Sequence, residues 1–491
     1  MLGPLCPYLT LHSSRAHVLR RGPMRFLSCM VTGVGDQENS KDSNSKAWVK
    51  RKNKKKLRSP LGNEHLSWEE RLADAVTPLW RLKYEEQLQV KYEEQQKILL
   101  QLSAQLAQGA DSLAGVPWTR GQLSFPLLPT QPSPVKDGYR NKSTFSVNRG
   151  VDGNPKTVGF YVGAGRDKNI VCVHADHLQN VPEKHKLVAR MYEEFMRISP
   201  LEPCLLFHEG GHWREVTVRT NAVGDTMAIV YFQPQSLTPE EINYHKAALV
   251  DFFIQGPGTA CQLDSLYFQE SARTRCSNED SPYQLLFGEA HIYEELLGLR
   301  LRISADAFFQ VNTSAAEVLY RTVGELSRAD GEGTLLDVCC GTGAIGLSLS
   351  GKVQKVIGIE VIEQAVQDAE FNATLNGVPN CEFLPGKAEV LLPQLMPSLS
   401  SEPNLIAVVN PSRAGLHYLV TRTLRNCAAI HRLLYISCKT EGEAMRNFRE
   451  LCCPPDRQKK LNGDPFIPTL AVPVDMFPHT AHCELVLVFE R

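Results

Sequence analysis

Residues 335–346, Leu-Leu-Asp-Val-Cys-Cys-Gly-Thr-Gly-Ala-Ile-Gly, constrain the fold more than any other segment of this 491-residue chain. A short apolar run reads as a buried strand. Gly341 and Gly343 then turn the chain, and a helix pattern begins at Ala344. Glycines let the backbone approach a ligand closely, and a helix N-terminus supplies free N–H donors. About twenty residues on, where an acid can bind ribose hydroxyls, Ile357-Gly358-Ile359 ends in Glu360. This strand–turn–helix–strand pattern is a βαβ unit with a site for a nucleotide-containing cofactor. NAD and S-adenosylmethionine both fit the motif. The order Asp-x-x-x-Gly-x-Gly with acidic Glu360 favours S-adenosylmethionine.

Strands and helices alternate from about Arg300 onward. Strands are expected at Leu335–Cys339, Val356–Glu360, Leu405–Asn410, Leu433–Cys438 and Glu484–Phe489. That alternation predicts an α/β unit with a mostly parallel sheet. Residues 111–300 read as a separate α+β domain, with strands at Val216–Arg219 and Met227–Phe232 and a helix near 185–198. Ser67-Trp68-Glu69-Glu70 is a capping-box pattern. It opens a helical segment over 67–110, rich in Leu, Gln, Glu and Lys, which Pro78 should divide into two helices. Within it, Lys83-Tyr84-Glu85-Glu86-Gln87 recurs as Lys91-Tyr92-Glu93-Glu94-Gln95. Two copies do not make a repeat architecture. A Pro/Gly-rich connector follows, from about Ala110 to Gly138.

The net charge of −1 hides a division. Residues 1–60 hold 13 Lys and Arg against 3 Asp and Glu. The body is therefore acidic, and nucleic acid would need a local basic groove in it. Arg15, Arg20, Arg21 and Arg25 precede the first acid, Asp36. Residues 1–35 thus read as a mitochondrial presequence, and the expected location is the mitochondrial matrix. Residues 36–66 read as a basic linker. No apolar run is long enough for a membrane span. The 14 cysteines show no zinc spacing and no CxxC. They suit a reducing compartment, and no metal is expected.

Near the C-terminus, Tyr435-Ile436-Ser437-Cys438 ends an apolar strand, and Glu484 begins another after Asp475-Met476-Phe477-Pro478-His479-Thr480-Ala481-His482-Cys483. Asn410-Pro411-Ser412-Arg413-Ala414-Gly415 follows the strand at 405. Loops at carboxyl strand ends form the ligand crevice of an open α/β sheet, so Asn410 and Cys438 should face one cleft. A thiol nucleophile, a carboxylate base and a nucleotide-type cofactor suggest covalent methyl transfer to a pyrimidine.

These motifs, with Phe308-x-Gln310-x-Asn312, Tyr139-Arg140-Asn141-Lys142 and Thr77-Pro78-Leu79-Trp80, resemble the TrmA-type RNA 5-methyluridine methyltransferases from Thr77 to the end. The resemblance implies a Rossmann-like S-adenosylmethionine-dependent methyltransferase domain over 301–491. An α+β RNA-binding domain and N-terminal helices would precede it. It makes Cys438 the nucleophile on uracil C6 and Glu484 the base that removes the C5 proton. Gln310, Gly341, Gly343, Glu360 and Asn410 would hold the cofactor, and Phe308, Asn410 and Arg413 the substrate. The implied partner is tRNA, at the T-loop uridine 54, or ribosomal RNA, or both. A base inside a duplex cannot be reached on both faces, so the target is extruded.

Three departures stand out. Asn410 replaces the family's aspartate, which keeps hydrogen bonding but loses charge, so activity is expected at a reduced rate. Lys439-Thr440 replaces Asn-Pro after the cysteine, and Lys439 either lowers the thiol pKa or points to solvent. Cys339 replaces an aromatic beside the cofactor, which predicts weaker cofactor binding. An RNA 5-methylcytidine enzyme would need a second cysteine on the 410–415 loop, and there is none. A non-catalytic RNA-binding or RNA-folding factor is the other alternative.

Overall fold

Helix α1 (Trp68–Val76) begins where the capping box predicts: Ser67 Oγ accepts from the Glu70 N–H at 3.2 Å, and the Glu70 carboxylate accepts from the Ser67 N–H at 3.1 Å. Pro78 lies in the break before α2 (Tyr84–Ala107), so this segment is two helices. The computed structural model describes residues 66–107, 122–163, 170–205, 210–271, 282–402 and 404–491. The expected presequence (1–35) and basic linker (36–66) lie outside these residues, apart from Leu66.

The first sheet contains β1 (Lys142–Asn148), β2 (Thr157–Val162), β3 (Val171–Val173), β4 (Trp213–Thr220), β5 (Thr226–Phe232), β6 (Ser265–Glu270) and β7 (Tyr283–Gly288). Their order is β3-β2-β1-β4-β5-β6-β7. Only β5 and β6 pair in parallel, because the chain crosses between them through α4 (Pro239–Ile254) rather than a tight turn. Helix α3 (Glu183–Ile198) packs with α4 on an aromatic core in which Trp213 meets Phe195 and Phe232 at ring separations of 5.0 and 4.8 Å. A hairpin of β8 (Ile292–Leu296) and β9 (Leu299–Ile303) follows. Leu297 and Gly298 both take positive φ at its turn, the twist that two-residue hairpins prefer. Helix α5 (Thr313–Ser327) leads into the second sheet.

That sheet alternates with helices: β10 (Thr334–Val338), α6 (Ala344–Leu349), β11 (Lys355–Glu360), α7 (Glu363–Leu375), β12 (Cys381–Pro385), α8 (Ala388–Leu399), β13 (Leu405–Val409), α9 (Tyr418–Asn426), β14 (Ile430–Ser437), α10 (Glu443–Cys452), β15 (Ile467–Val474) and β16 (Glu484–Glu490). The strand order is β12-β11-β10-β13-β14-β16-β15. β10 and β13 are buried at every residue, as strands covered on both faces must be. From β10 the chain steps out through β11 and β12, then crosses to β13 on the other side. The reversal opens a crevice at the carboxyl ends of β10 and β13.

Two strands of this sheet escaped the sequence reading, as did every strand of the first sheet but β4 and β5, and the β8–β9 hairpin. β12 is short and ends at Pro385. β15 carries Pro468 and Pro473, residues tolerated in outer strands. The first residues of the connector lie outside the described ones, and its described part, from residue 122, is more ordered than its composition suggests. It runs along β15, with Leu128 N–H to Ala471 O at 2.9 Å and Gln131 N–H to Pro473 O at 2.8 Å.

Candidate active site

The turn after β10 is built almost wholly from local bonds. Cys339 N–H and Cys340 N–H both donate to Ile359 O, at 2.9 and 3.1 Å. Cys339, Gly341 and Gly343 have φ of 65°, 56° and 79°, a region that favours glycine. Glu360 accepts from Gly341 N–H at 3.0 Å with one oxygen, and from Val361 and Ile362 N–H at 2.8 and 3.0 Å with the other. Fully buried Asp337 accepts from Gly346 N–H at 3.0 Å, and burial pushes its carboxyl up to about 7.

The two predicted glycines differ. A Cβ on Gly341 would enter open space at the crevice, so this backbone is free for a ligand. A Cβ on Gly343 would strike the Phe383 ring at 2.8 Å and Ala369 at 3.0 Å. Gly343 therefore serves packing and does not line the cleft.

The crevice opens into a cleft of about 1750 Å³ walled by both halves of the molecule. Phe308, Gln310, Gly341 and Glu360 line it, and so do Asn410, Arg413, Cys438 and Glu484. Phe308 presents its ring to the cleft at 66% exposure, whereas Gln310 is buried. Asn312 has a structural role. Its oxygen caps α5 at Ala315 N–H (3.1 Å), and its amide donates to Ser133 Oγ and Met476 O at 3.1 and 3.2 Å. The loop after β13 is held by buried Asn447, which accepts from Leu416 N–H at 2.8 Å and donates to Leu416 O at 3.0 Å.

Cys438 and Glu484 meet through strand register. β14 and β16 are antiparallel with Ser437 opposite Leu485 as the last pair, so Cys438 and Glu484 adjoin the end of the ladder, near enough for the Glu484 charge to act on the thiol. Glu484 is not the strand-edge surface group its type would suggest. It is buried, and that burial pushes its carboxyl up to about 8 against the pull of Arg413. Burial, then the Glu484 charge, raise the Cys438 thiol above its ordinary range, while Arg413 lowers it by hydrogen bond and charge. The cation beside the thiol is therefore Arg413. Lys439 is exposed, and its amide donates to Ser437 Oγ at 3.2 Å. His482 lines the cleft, with its imidazole held below the usual range by burial, then Arg413 and Lys91.

Three cations on or just before the first sheet received no role from the sequence. Arg140 lines the cleft. The β1–β4 register puts Lys142 opposite Arg219, a like-charge pairing that costs stability. Burial first, then Arg219 and Arg140, push the Lys142 amine down to about 7. Arg219 is 2% exposed, donates to Ala307 O, and has no partner at Nε. The Tyr139–Lys142 motif was the available signal for two of these residues. Arg219 carried none. Asn141 joins this region to the Phe308 segment by donating to Gln310 O at 2.7 Å and to Thr313 Oγ1 at 2.9 Å.

Among the described residues, no group of three or more His, Cys, Asp or Glu could hold a metal. The open backbone at Gly341 and the acid at the end of β11 suit S-adenosylmethionine. Strand order and site together define a Rossmann-like S-adenosylmethionine-dependent methyltransferase fold. A family described as "Methyltransferase domain" matches residues 329–401. The chain is 66% identical to tRNA (uracil-5-)-methyltransferase homolog B of Danio rerio, covering 91% of this chain and 92% of that protein. It is 60% identical to the Homo sapiens homolog B over 88% of this chain and 86% of that one. The crystal structure of Pyrococcus abyssi tRNA (uracil-54, C5)-methyltransferase in complex with S-adenosyl-L-homocysteine shares the fold at TM-score 0.58 and 22% identity, covering 84% of each chain. The chain belongs to the RNA 5-methyluridine methyltransferase family and is an RNA uracil-C5 methyltransferase.

Proposed function

We propose that this protein methylates C5 of a tRNA uridine, at T-loop position 54, through a covalent Cys438–C6 adduct in the mitochondrial matrix. The observation that carries the mechanism is the end of the β14–β16 ladder, where Ser437 pairs with Leu485 and the adjoining residues Cys438 and Glu484 both line the cleft that the cofactor turn also lines. The names of the relatives favour tRNA. The arginine-rich, acid-poor first 35 residues favour the matrix.

Uracil C5 is a poor nucleophile. Addition of the Cys438 thiolate to C6 turns C5 into an enolate carbon and splits one hard step into easier ones. S-adenosylmethionine, when bound, supplies an electrophilic methyl group. After transfer, the Glu484 carboxylate takes the C5 proton. Reforming the C5–C6 double bond then expels the thiolate. The Cys438 thiol releases its proton to solvent as it adds to C6, and Glu484, which burial holds neutral up to about pH 8, releases its own proton to solvent before it accepts the one from C5. Arg413 favours both ionised forms. Phe308 offers a stacking face to an extruded base. Arg140 offers charge to the neighbouring phosphates. Glu360 and Gly341 hold the cofactor.

The full chain is incubated with labelled S-adenosylmethionine and unmodified mitochondrial tRNA or ribosomal RNA, beside Cys438→Ala. The expected product is cysteine-dependent 5-methyluridine at tRNA position 54. Label in ribosomal RNA alone overturns the substrate, and cofactor and RNA binding without transfer leaves an RNA-binding factor.

A further inference from the structure

Helix α2 lies outside both sheets, yet it makes polar contacts to the loops on either side of the nucleophile and the base. Its C-terminal half is anchored by Leu99, Leu102 and Leu106 in the core of the second sheet. Its N-terminal half buries a polar stripe on the same side, Gln87, Lys91 and Gln95, at a spacing of four. Lys91 Nζ is fully buried, pairs with buried Asp475, and donates to Phe477 O at 3.0 Å. Tyr84 Oη donates to the other Asp475 oxygen at 2.9 Å. Gln87 accepts from His479 N–H at 2.8 Å, where φ is 67°, a strained value that persists only when its surroundings enforce it. These contacts hold the loop that ends at Glu484. One turn further along α2, Gln95 Oε1 accepts from Thr440 Oγ1 at 3.0 Å, two residues past Cys438, and the Gln95 side chain also hydrogen-bonds Cys483 beside Glu484.

A buried ion pair adds little net stability compared with apolar packing of similar volume. Leucines at these positions would anchor the helix at least as well. What the polar stripe adds is direction, because each hydrogen bond fixes a loop atom to a helix that the apolar half already holds in place. We propose that α2 is a positioning element: Gln95, which reaches both loops, places the Cys438 loop for attack on C6, and Tyr84 and Lys91, which reach only the Glu484 loop, place it for removal of the C5 proton. The inference rests on the covalent mechanism above. None of these residues touches the substrate, so they act through the loops.

The test uses the full chain with two RNAs. In 5-fluorouridine RNA, fluorine replaces the C5 proton, so the adduct forms and methylates but cannot be resolved. Its formation rate therefore reports the steps up to methylation. Ordinary uridine RNA reports complete turnover. Gln95→Leu is expected to slow adduct formation on both RNAs by about tenfold to 100-fold, the scale of a small misplacement of a reacting group. Lys91→Met is expected to form the fluorinated adduct at the wild-type rate. It should turn over uridine RNA at least about tenfold more slowly, with the enzyme–RNA adduct accumulating on a denaturing gel. Tyr84→Phe, which removes one hydroxyl and keeps the ring, repeats the Lys91 pattern more weakly and guards against a Lys91→Met protein that does not fold. KM for S-adenosylmethionine stays unchanged in all three. Equal slowing of both steps in every variant, or a change confined to melting temperature or cofactor KM, overturns the proposal. Failure of the wild type to form a Cys438-dependent adduct overturns the covalent mechanism instead.

Discussion

The cofactor turn and the catalytic pair lie on one cleft, yet they are held in opposite ways. Around Gly341, almost every bond joins residues within one short βαβ unit: Asp337 to Gly346, Glu360 to Gly341, Cys339 to Ile359. Around Cys438 and Glu484, the bonds reach to residues hundreds of positions away, such as Gln95 to Thr440 and Gln87 to His479. A locally closed turn forms wherever its sequence occurs. A distant clamp works only once the whole unit has folded, and in return it sets two reacting groups against each other. The cofactor end therefore behaves as a transferable part and the catalytic end as a property of this fold.

Substitutions can test that contrast. The largest effect is expected at the nucleophile. Cys438→Ala should lower methyl transfer on the order of 10⁴-fold or more, with cofactor affinity unchanged by equilibrium dialysis. A loss of cofactor binding would mean the two ends are not independent.

Glu484→Gln is next. Turnover should fall by about 10²–10⁴-fold, the usual contribution of a positioned base, with covalent adduct accumulating. In the wild type, the base step should rise with pH through about 8, where the buried carboxyl ionises. Stability should move the other way. A carboxyl whose pKa is raised on folding stabilises fully below its unfolded value and loses that contribution as pH rises through its folded value. Glu484→Gln should therefore gain melting temperature relative to wild type as pH rises from about 4.5 to 8. A flat difference across that window would show that Glu484 is not buried in its neutral form.

At the cofactor end, Gly358→Ala puts a Cβ 2.5 Å from the Phe383 ring and 2.9 Å from Cys340 Sγ. Overpacking of this kind costs about 1–3 kcal/mol, seen as a lower denaturation midpoint and weaker cofactor binding. Adduct formation at saturating cofactor should remain near wild type. The smallest effect is expected for Glu360→Gln, which keeps the shape but loses charge-assisted bonds. KM for the methyl donor should rise roughly tenfold, in keeping with about 1.4 kcal/mol of lost binding. If either change slowed chemistry at saturation instead, the cofactor turn would be coupled to the catalytic loops.

The chain order of strands, the glycine turn and the acid ending β11 were legible in the residues because each depends on neighbours in sequence. Buried parallel strands announce themselves as apolar runs, and Gly341 and Gly343 sit where φ must be positive. Even so, one glycine faces the cleft and the other faces Phe383, which only packing could separate. β15 was hidden by its prolines. Arg219 was hidden among ordinary strand residues, because its meaning comes from standing opposite Lys142 in another strand. Lys439, next in sequence, was open to two readings, as the thiol's cation or as a solvent-facing group, and it is exposed. Arg413 holds the cation's place because the loop after β13 folds over the end of β14.

By itself, the sequence determined the α/β alternation, the cofactor turn and the types of group available for catalysis, because local propensity and hydrophobic pattern act over a few residues. The tertiary structure decided which of those groups meet. Antiparallel pairing of β14 with β16 brings Glu484 near Cys438, burial keeps that carboxyl protonated near neutral pH, and α2 closes over both loops. Each of these depends on low local dielectric and long-range pairing, which exist only once distant segments have packed together.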